Sequence, residues 1–306
     1  CSFSHTGRKD KTCREKNPGQ NLYQTVIAKL MAEDPGQTPL IRLAFRIGYI
    51  GTSFFGSQYQ PDQRTVEGEI EAACVRAGII TSRQESRLAL SGRTDRGVHA
   101  KCQILALSTH NPDLAVRALN GQLPPDIWVS AWAYAPESFY PRYDVIIRTY
   151  RYYFSRPPSD INAMRDAAGL FLGTHDFRCF ARIEPGKSPV KTIDRIEVIS
   201  DENGCRLEVT AQSFLWHMVR CMAGSLYQVS EGEMAIRDLT QYLKGECKNK
   251  VKPAPPEGLI LWDVQADLDW HEIPAPGLKV KRIARQSEEL HLLGTVYSLL
   301  LPGREG

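Results

Sequence analysis

The run Leu90-Ser91-Gly92-Arg93-Thr94-Asp95-Arg96-Gly97-Val98-His99-Ala100 sets a carboxylate between two arginines and two glycines. Arg87 to Leu90, just before it, reads as a short strand, and Lys101 to Ser108 alternates like a second one. Asp95 therefore lies in a Gly-bounded loop between strands. Gly92 and Gly97 permit backbone angles that other residues avoid, so the loop can turn tightly and let a ligand approach its main chain. Arginine charge on either side stabilises the Asp95 carboxylate, and an ionised, preoriented Asp is a usable nucleophile. The same composition also fits a hairpin whose Asp caps its own turn, so the order of residues has to decide.

That order resembles the catalytic loop of the tRNA pseudouridine synthase A family, Gly-Arg-Thr-Asp-x-Gly-Val-His-Ala, with Arg96 in the variable position. The Arg-Thr-Asp-Arg-Gly form is similar to archaeal members. Further blocks resemble the family in the same order. They are Tyr49 to Gln58, Phe139 to Tyr143 leading into Arg148-Thr149-Tyr150-Arg151-Tyr152, Phe171 to Phe177, Ser213 to Arg220, and Pro255 to Leu261. Three positions depart from the pattern: Ile50 stands for the usual Asp, Ser57 for the usual Trp, and Trp216 for a frequent His. None removes a residue the chemistry needs, so they bear on how RNA is held and on which RNA is chosen.

The resemblance implies an α+β fold of two similar α/β halves sharing one continuous mixed, mainly antiparallel sheet flanked by helices, with a central active-site cleft. It implies isomerisation of uridine to pseudouridine in the tRNA anticodon stem-loop, at positions 38, 39 and 40, by a homodimer. The reaction breaks the N1–C1′ bond, turns the uracil and joins C5 to C1′. No atoms enter or leave, so no cofactor and no metal is expected. Asp95 would attack C1′, add to C6, or assist elimination to a glycal, and the sequence leaves these three open. Arg93 would enter the space of the flipped nucleotide, offsetting part of an unstacking cost of a few kcal/mol. Tyr150 would stack on the uracil and serve in proton removal at C5, although an ordinary phenol is a poor base at neutral pH. Arg220 interrupts the apolar helix face around Val219 and Cys221. The resemblance implies that it pairs with Asp95 and keeps it ionised; a buried Arg without an acidic partner is costly, so some such partner is required.

The chain is not globally basic. Residues 1–30 carry a net charge of +4 and the remaining 276 carry −1. RNA binding must therefore come from a local patch. Arg96, Lys101, Arg142, Arg148, Arg151 and His217 are the candidates, with Arg182, Lys187 and Lys191 near the rim. Phe139, Tyr140, Tyr143, Tyr150, Tyr152 and Tyr153 interleave with three of the arginines, as stacking combined with phosphate contact requires. His99 reads as a structural hydrogen-bonding residue, His175 and Asp176 as supports of a helix end, and Thr94 as ordering the loop.

A hydrophobic content of 42% supports a substantial core. No apolar run approaches the roughly 18 residues of a membrane helix. We expect a soluble, cytoplasmic enzyme with no membrane partner. Eight cysteines lie far apart without a Cys-x-x-Cys pair, which argues against a disulfide scaffold and a zinc site. The polar segment 1–38 reads as a disordered extension, and Met31 is the expected native start. Residues 39–145 form the half carrying the Asp loop, 146–270 the second half, and 271–306 a tail with a helix. Rival readings are a related synthase with another RNA target and a catalytically silent RNA-binding module. A protein that only binds RNA has no need of Asp95, Arg93, Tyr150 and Arg220 together. A glycosidase would need a second carboxylate, which the loop lacks.

Overall fold

The computed structural model describes residues 39–274 and 276–300, without the side chain of Leu299. The expectations for residues 1–38 lie outside the described residues. The strands, in chain order, are β1 (Ile41–Tyr49), β2 (Ala89–Leu90), β3 (His99–Thr109), β4 (Ile127–Tyr134), β5 (Ile147–Tyr153), β6 (Gly173–Asp176), β7 (Val190–Ile193), β8 (Arg195–Asp201), β9 (Gly204–Ala211), β10 (Leu259–Gln265) and β11 (His271–Glu272). The helices are α1 (Val66–Arg76), α2 (Pro112–Gln122), α3 (Pro141–Asp144), α4 (Ile161–Gly169), α5 (Met218–Ser230), α6 (Ile236–Tyr242) and α7 (Gly277–Leu299). No helix among the described residues is long and apolar enough to cross a membrane.

The large sheet runs β11-β4-β1-β3-β10-β5-β9-β8, with β2 paired to β3 off that path, and β6 and β7 form a separate pair. Its ladders are antiparallel apart from β10 and β3, which pair in parallel through Ile260↔His99 and Leu261↔Ala100. The mixed, mainly antiparallel sheet that the resemblance implies is present. β10 is the strand that matters for the site. It lies between β3, which follows the Asp95 loop, and β5, which carries Tyr150, and so brings them into one sheet.

Local sequence explains the elements that frame this arrangement. In α1 the Thr65 hydroxyl accepts from the Gly68 N–H, and Glu67 and Glu69 occupy the first turn, where the helix dipole favours negative charge. Val66, Ile70, Ala73 and Cys74 share its buried face. The Asn203-Gly204 turn joins β8 to β9, with Gly204 at φ +100, an angle that costs other residues strain. Along α5, Met218, Met222, Leu226 and Val229 are buried. Helix α5 packs against α4 and β5, and α4 against β8. Leu43, Phe45, Ile47, Ile104, Leu105 and Leu107 on β1 and β3 are fully buried at the centre of the sheet.

The tail contributes more than a helix. His271 and Glu272 pair with Trp132 and Ala131 at the sheet edge. Helix α7 begins by placing the Lys279 ammonium on the Leu123 and Ile127 carbonyls, at 3.2 and 2.7 Å. Beyond that, Leu290, Leu292, Leu293 and Tyr297 are exposed, because their mixed spacing forms no single stripe to bury.

One cysteine expectation is corrected. Cys179 and Cys247 form a disulfide across 68 residues of sequence. Distance along the chain hid the pairing; the two segments run side by side, with the Val251 N–H donating to the Cys179 carbonyl at 2.9 Å. In the chain-entropy account, closing a loop of this length stabilises by roughly 4 kcal/mol. Reduction, or Cys247→Ser, should therefore lower the urea midpoint measurably. Identical unfolding curves with and without reductant would contradict it.

Candidate active site

Asp95 sits at the tip of the loop between β2 and β3 with its side chain 18% exposed. One carboxylate oxygen, Oδ2, accepts from Arg220 at 2.6 Å, and the other, Oδ1, from the Trp216 indole N–H at 2.8 Å. His217 Nε2 lies 3.5 Å from Oδ2. Burial favours the neutral His217 imidazole and holds its pKa below the ordinary value, against the opposing pull of Asp95. Arg220 is fixed from behind, its Nε donating to the Ala254 carbonyl at 2.8 Å while the Ala254 N–H donates to the Arg220 carbonyl at 3.0 Å. The pairing of Arg220 with Asp95 expected from the sequence is present.

The loop is held by its backbone. Thr94 N–H donates to the Ser57 hydroxyl at 2.8 Å, and Ser57 N–H to the Thr94 carbonyl at 3.1 Å. The Tyr49 and Thr94 hydroxyls are bonded at 2.8 Å. Gly97 turns the chain at φ +84. A Cβ on Gly51 would stand 1.9 Å from the Val98 carbonyl, so only glycine permits this approach. His99 accepts the Gly51 N–H on Nδ1 at 3.1 Å, and burial lowers its pKa, which suits an acceptor nitrogen. It braces the loop from outside the chemistry. His175 and Asp176 also act locally, on the Leu172 carbonyl and on Arg178.

Tyr150 is buried beside the pair, its ring edge-to-face with Phe214 at 5.1 Å. Burial raises its hydroxyl to about 12; nearby Arg148 opposes the shift and Asp95 adds to it. Arg93 and Arg96 are exposed. Arg96 lies 4.3 Å over the Phe55 ring, and Arg93 donates to Glu184 at 2.6 Å. Half-buried Arg142 adjoins the stacked rings of Tyr140 and Tyr143, which are exposed.

Three of the basic candidates stand elsewhere. Arg148 is buried and turned inward, donating to the Gln212 carbonyl, to Ser91 at 2.7 Å and to Arg142 at 3.0 Å. It clamps the start of the Asp95 loop and presents no free charge to a ligand. Arg151 and Lys101 share the Trp262 ring, at 3.6 and 3.8 Å, and Arg151 also pairs with Glu208 at 2.6 Å. Successive strand residues point to opposite faces, so Arg151 lies on the sheet face away from Tyr150. Lys101, sharing its indole, lies there too.

Sequence reasoning missed Trp216 and Ser57 as working parts. Both were visible as departures from a family pattern, and each turns out to donate or accept a bond within the loop. Ser57 is fully buried and satisfies a backbone N–H that a Trp could not.

Residues 46–144 and 167–267 match the family described as tRNA pseudouridine synthase. The chain is 48% identical over 224 residues to the tRNA pseudouridine synthase A of Methanosphaerula palustris, covering 73% of this chain and 80% of that protein. It is 47% identical over 234 residues to that of Methanoculleus marisnigri, covering 76% and 86%. With the enzyme of that name from Thermococcus kodakarensis the identity is 41% over 227 residues, covering 74% and 85%. The chain belongs to the tRNA pseudouridine synthase family, isomerases that act on uridine in tRNA.

Replacing Arg148 by Met leaves three backbone carbonyls without their donor. Charged hydrogen bonds of this kind are worth roughly 1.5–3 kcal/mol each. Arg148→Met should lose about 3 kcal/mol or more in urea unfolding. A loss below about 1 kcal/mol would show that the clamp is dispensable.

Proposed function

We propose that the protein converts uridine to pseudouridine at positions 38, 39 and 40 of the tRNA anticodon stem-loop, with Asp95 as nucleophile and with the target nucleotide flipped out of the stem. The observation that carries this reading is the Asp95 carboxylate, held at once by Arg220 and Trp216. Arg220 pairs with the carboxylate and aims it. The Trp216 bond is the more easily exchanged of the two, since Trp216 is 43% exposed while the Arg220 side chain is 12% exposed. Oδ1 is therefore the oxygen that substrate entry would free.

Attack at C1′, addition to C6 and elimination to a glycal all start from this carboxylate. Each must end with the N1–C1′ bond broken, the C5–C1′ bond formed, and the C5 proton removed while N1 gains one. Tyr150 remains a neutral phenol across the ordinary pH range, because burial raises it to about 12. It supplies a ring face for the uracil. Any proton it accepts from C5 must be matched by loss of its own hydroxyl proton.

RNA docking falls to exposed and half-buried side chains. Arg93 enters the space left by the flipped nucleotide, Arg96 and Arg142 meet phosphates, and Tyr140 and Tyr143 offer a stacking platform. His217, neutral and beside Asp95, contacts the flipped nucleotide. We further propose a homodimer acting in the cytoplasm, as the resemblance implies.

The test is tritium release from C5-labelled uridine in unmodified tRNA, followed by mapping of the modified positions. Wild-type protein should release tritium at positions 38 to 40. Asp95→Ala should release none while binding tRNA within about tenfold of wild type, since phosphate contacts dominate affinity. Turnover by Asp95→Ala would refute the nucleophile, and modification confined to other positions would refute the target.

A further inference from the structure

The segment between β6 and β7 reaches from that separate two-stranded pair to the Asp95 loop. Its base is fixed: Phe177, Cys179 and Phe180 are fully buried, Cys179 is bonded to Cys247, and Lys250 donates to the Ala181 carbonyl at 3.0 Å. Two side chains beyond that base meet residues of the site. Arg182 lies 4.5 Å over the Trp216 ring, and its N–H donates to the Trp216 carbonyl at 3.0 Å. Glu184 accepts from Arg93 at 2.6 Å, across 91 residues of sequence.

The second contact sets a conflict. Arg93 is the residue assigned to the opened RNA stem, yet in the free protein its guanidinium is engaged by a carboxylate. Glu184 cannot accompany Arg93 into RNA, since a carboxylate among phosphates is repelled. The side chains of Arg93 and Glu184 are 47% and 36% exposed, so the pair is weak enough for phosphate to displace.

We propose that Glu184 is a positioning residue that holds Arg93 in the free enzyme and yields it to the tRNA backbone on binding. The inference rests on the tRNA reading given above. Glu184 sets a threshold, because an RNA must supply enough phosphate contact to replace the carboxylate. Binding is weakened by the strength of the pair, and the chemical step is untouched once Arg93 has been released.

The test compares wild type, Glu184→Gln, Arg93→Ala and the double variant, using full-length protein and tritium release from unmodified tRNA. Glu184→Gln keeps the shape and removes the charge. It should lower KM two- to fivefold, about the range of an exposed ion pair, with the change falling on KM and not on kcat. In the Arg93→Ala background the same substitution should change nothing. An unchanged or raised KM in Glu184→Gln overturns the proposal, as does an equal effect with and without Arg93, which would mark a general charge effect. No release by wild type sinks the tRNA reading and this inference with it. Release by wild type, impaired by Arg93→Ala but indifferent to Glu184→Gln, sinks the inference alone.

Discussion

The Asp95–Arg220 ion pair joins a loop of the first part of the chain to a helix 125 residues later, at 2.6 Å and with little exposure. Removing such charges from water is expensive, and an apolar replacement of similar shape is often as stable or more so. The pair therefore does not earn its place through stability. It makes chemical sense as a device that fixes a carboxylate in a sheltered place, and the fold has to bring both partners there. Inserting β10 between β3 and β5 does this, because it fixes the β2–β3 loop and the α5 side of β5 within one sheet.

The rest of the site follows from holding that carboxylate still. Ser57, Tyr49 and Thr94 fix the loop's backbone and hydroxyls. Arg148 ties the loop's first residue to Arg142 and Gln212, so a cation in the sheet interior acts as a three-way brace. Gly51 lets the Val98 carbonyl come close. The Ala254 carbonyl aims Arg220. On the open side, Trp216 and the exposed arginines are the movable parts, and the segment bearing Arg182 and Glu184 lies against both.

Much of this was legible in the sequence, for reasons that can be named. The short strand before the Asp95 loop and the one after it were read from their apolar patterns, and the apolar helix face around Val219 and Cys221 made Arg220 stand out. That break called for an acidic partner, and the family resemblance pointed to Asp95. What the sequence hid depends on partners far along the chain. Nothing in residues 148 or 151 says that one arginine faces a cluster of carbonyls and the other a tryptophan on the opposite face. The Cys179–Cys247 bond was hidden in the same way. Strand β3 is buried without interruption from Gln103 to Thr109, so the alternation read in Lys101 to Ser108 marked a strand but not its burial on both faces. Ser57 and Trp216 were seen as departures but not as parts, since only the structure supplies the atoms they bond.

The most direct measurement is the single-turnover rate of tritium release by Arg220→Met, with the folded fraction matched to wild type by thermal melting. If Arg220 holds the reacting carboxylate, the rate should fall by about a hundredfold or more, while tRNA affinity stays within about tenfold. A rate within about threefold of wild type would contradict the claim that this pair is the centre of the site.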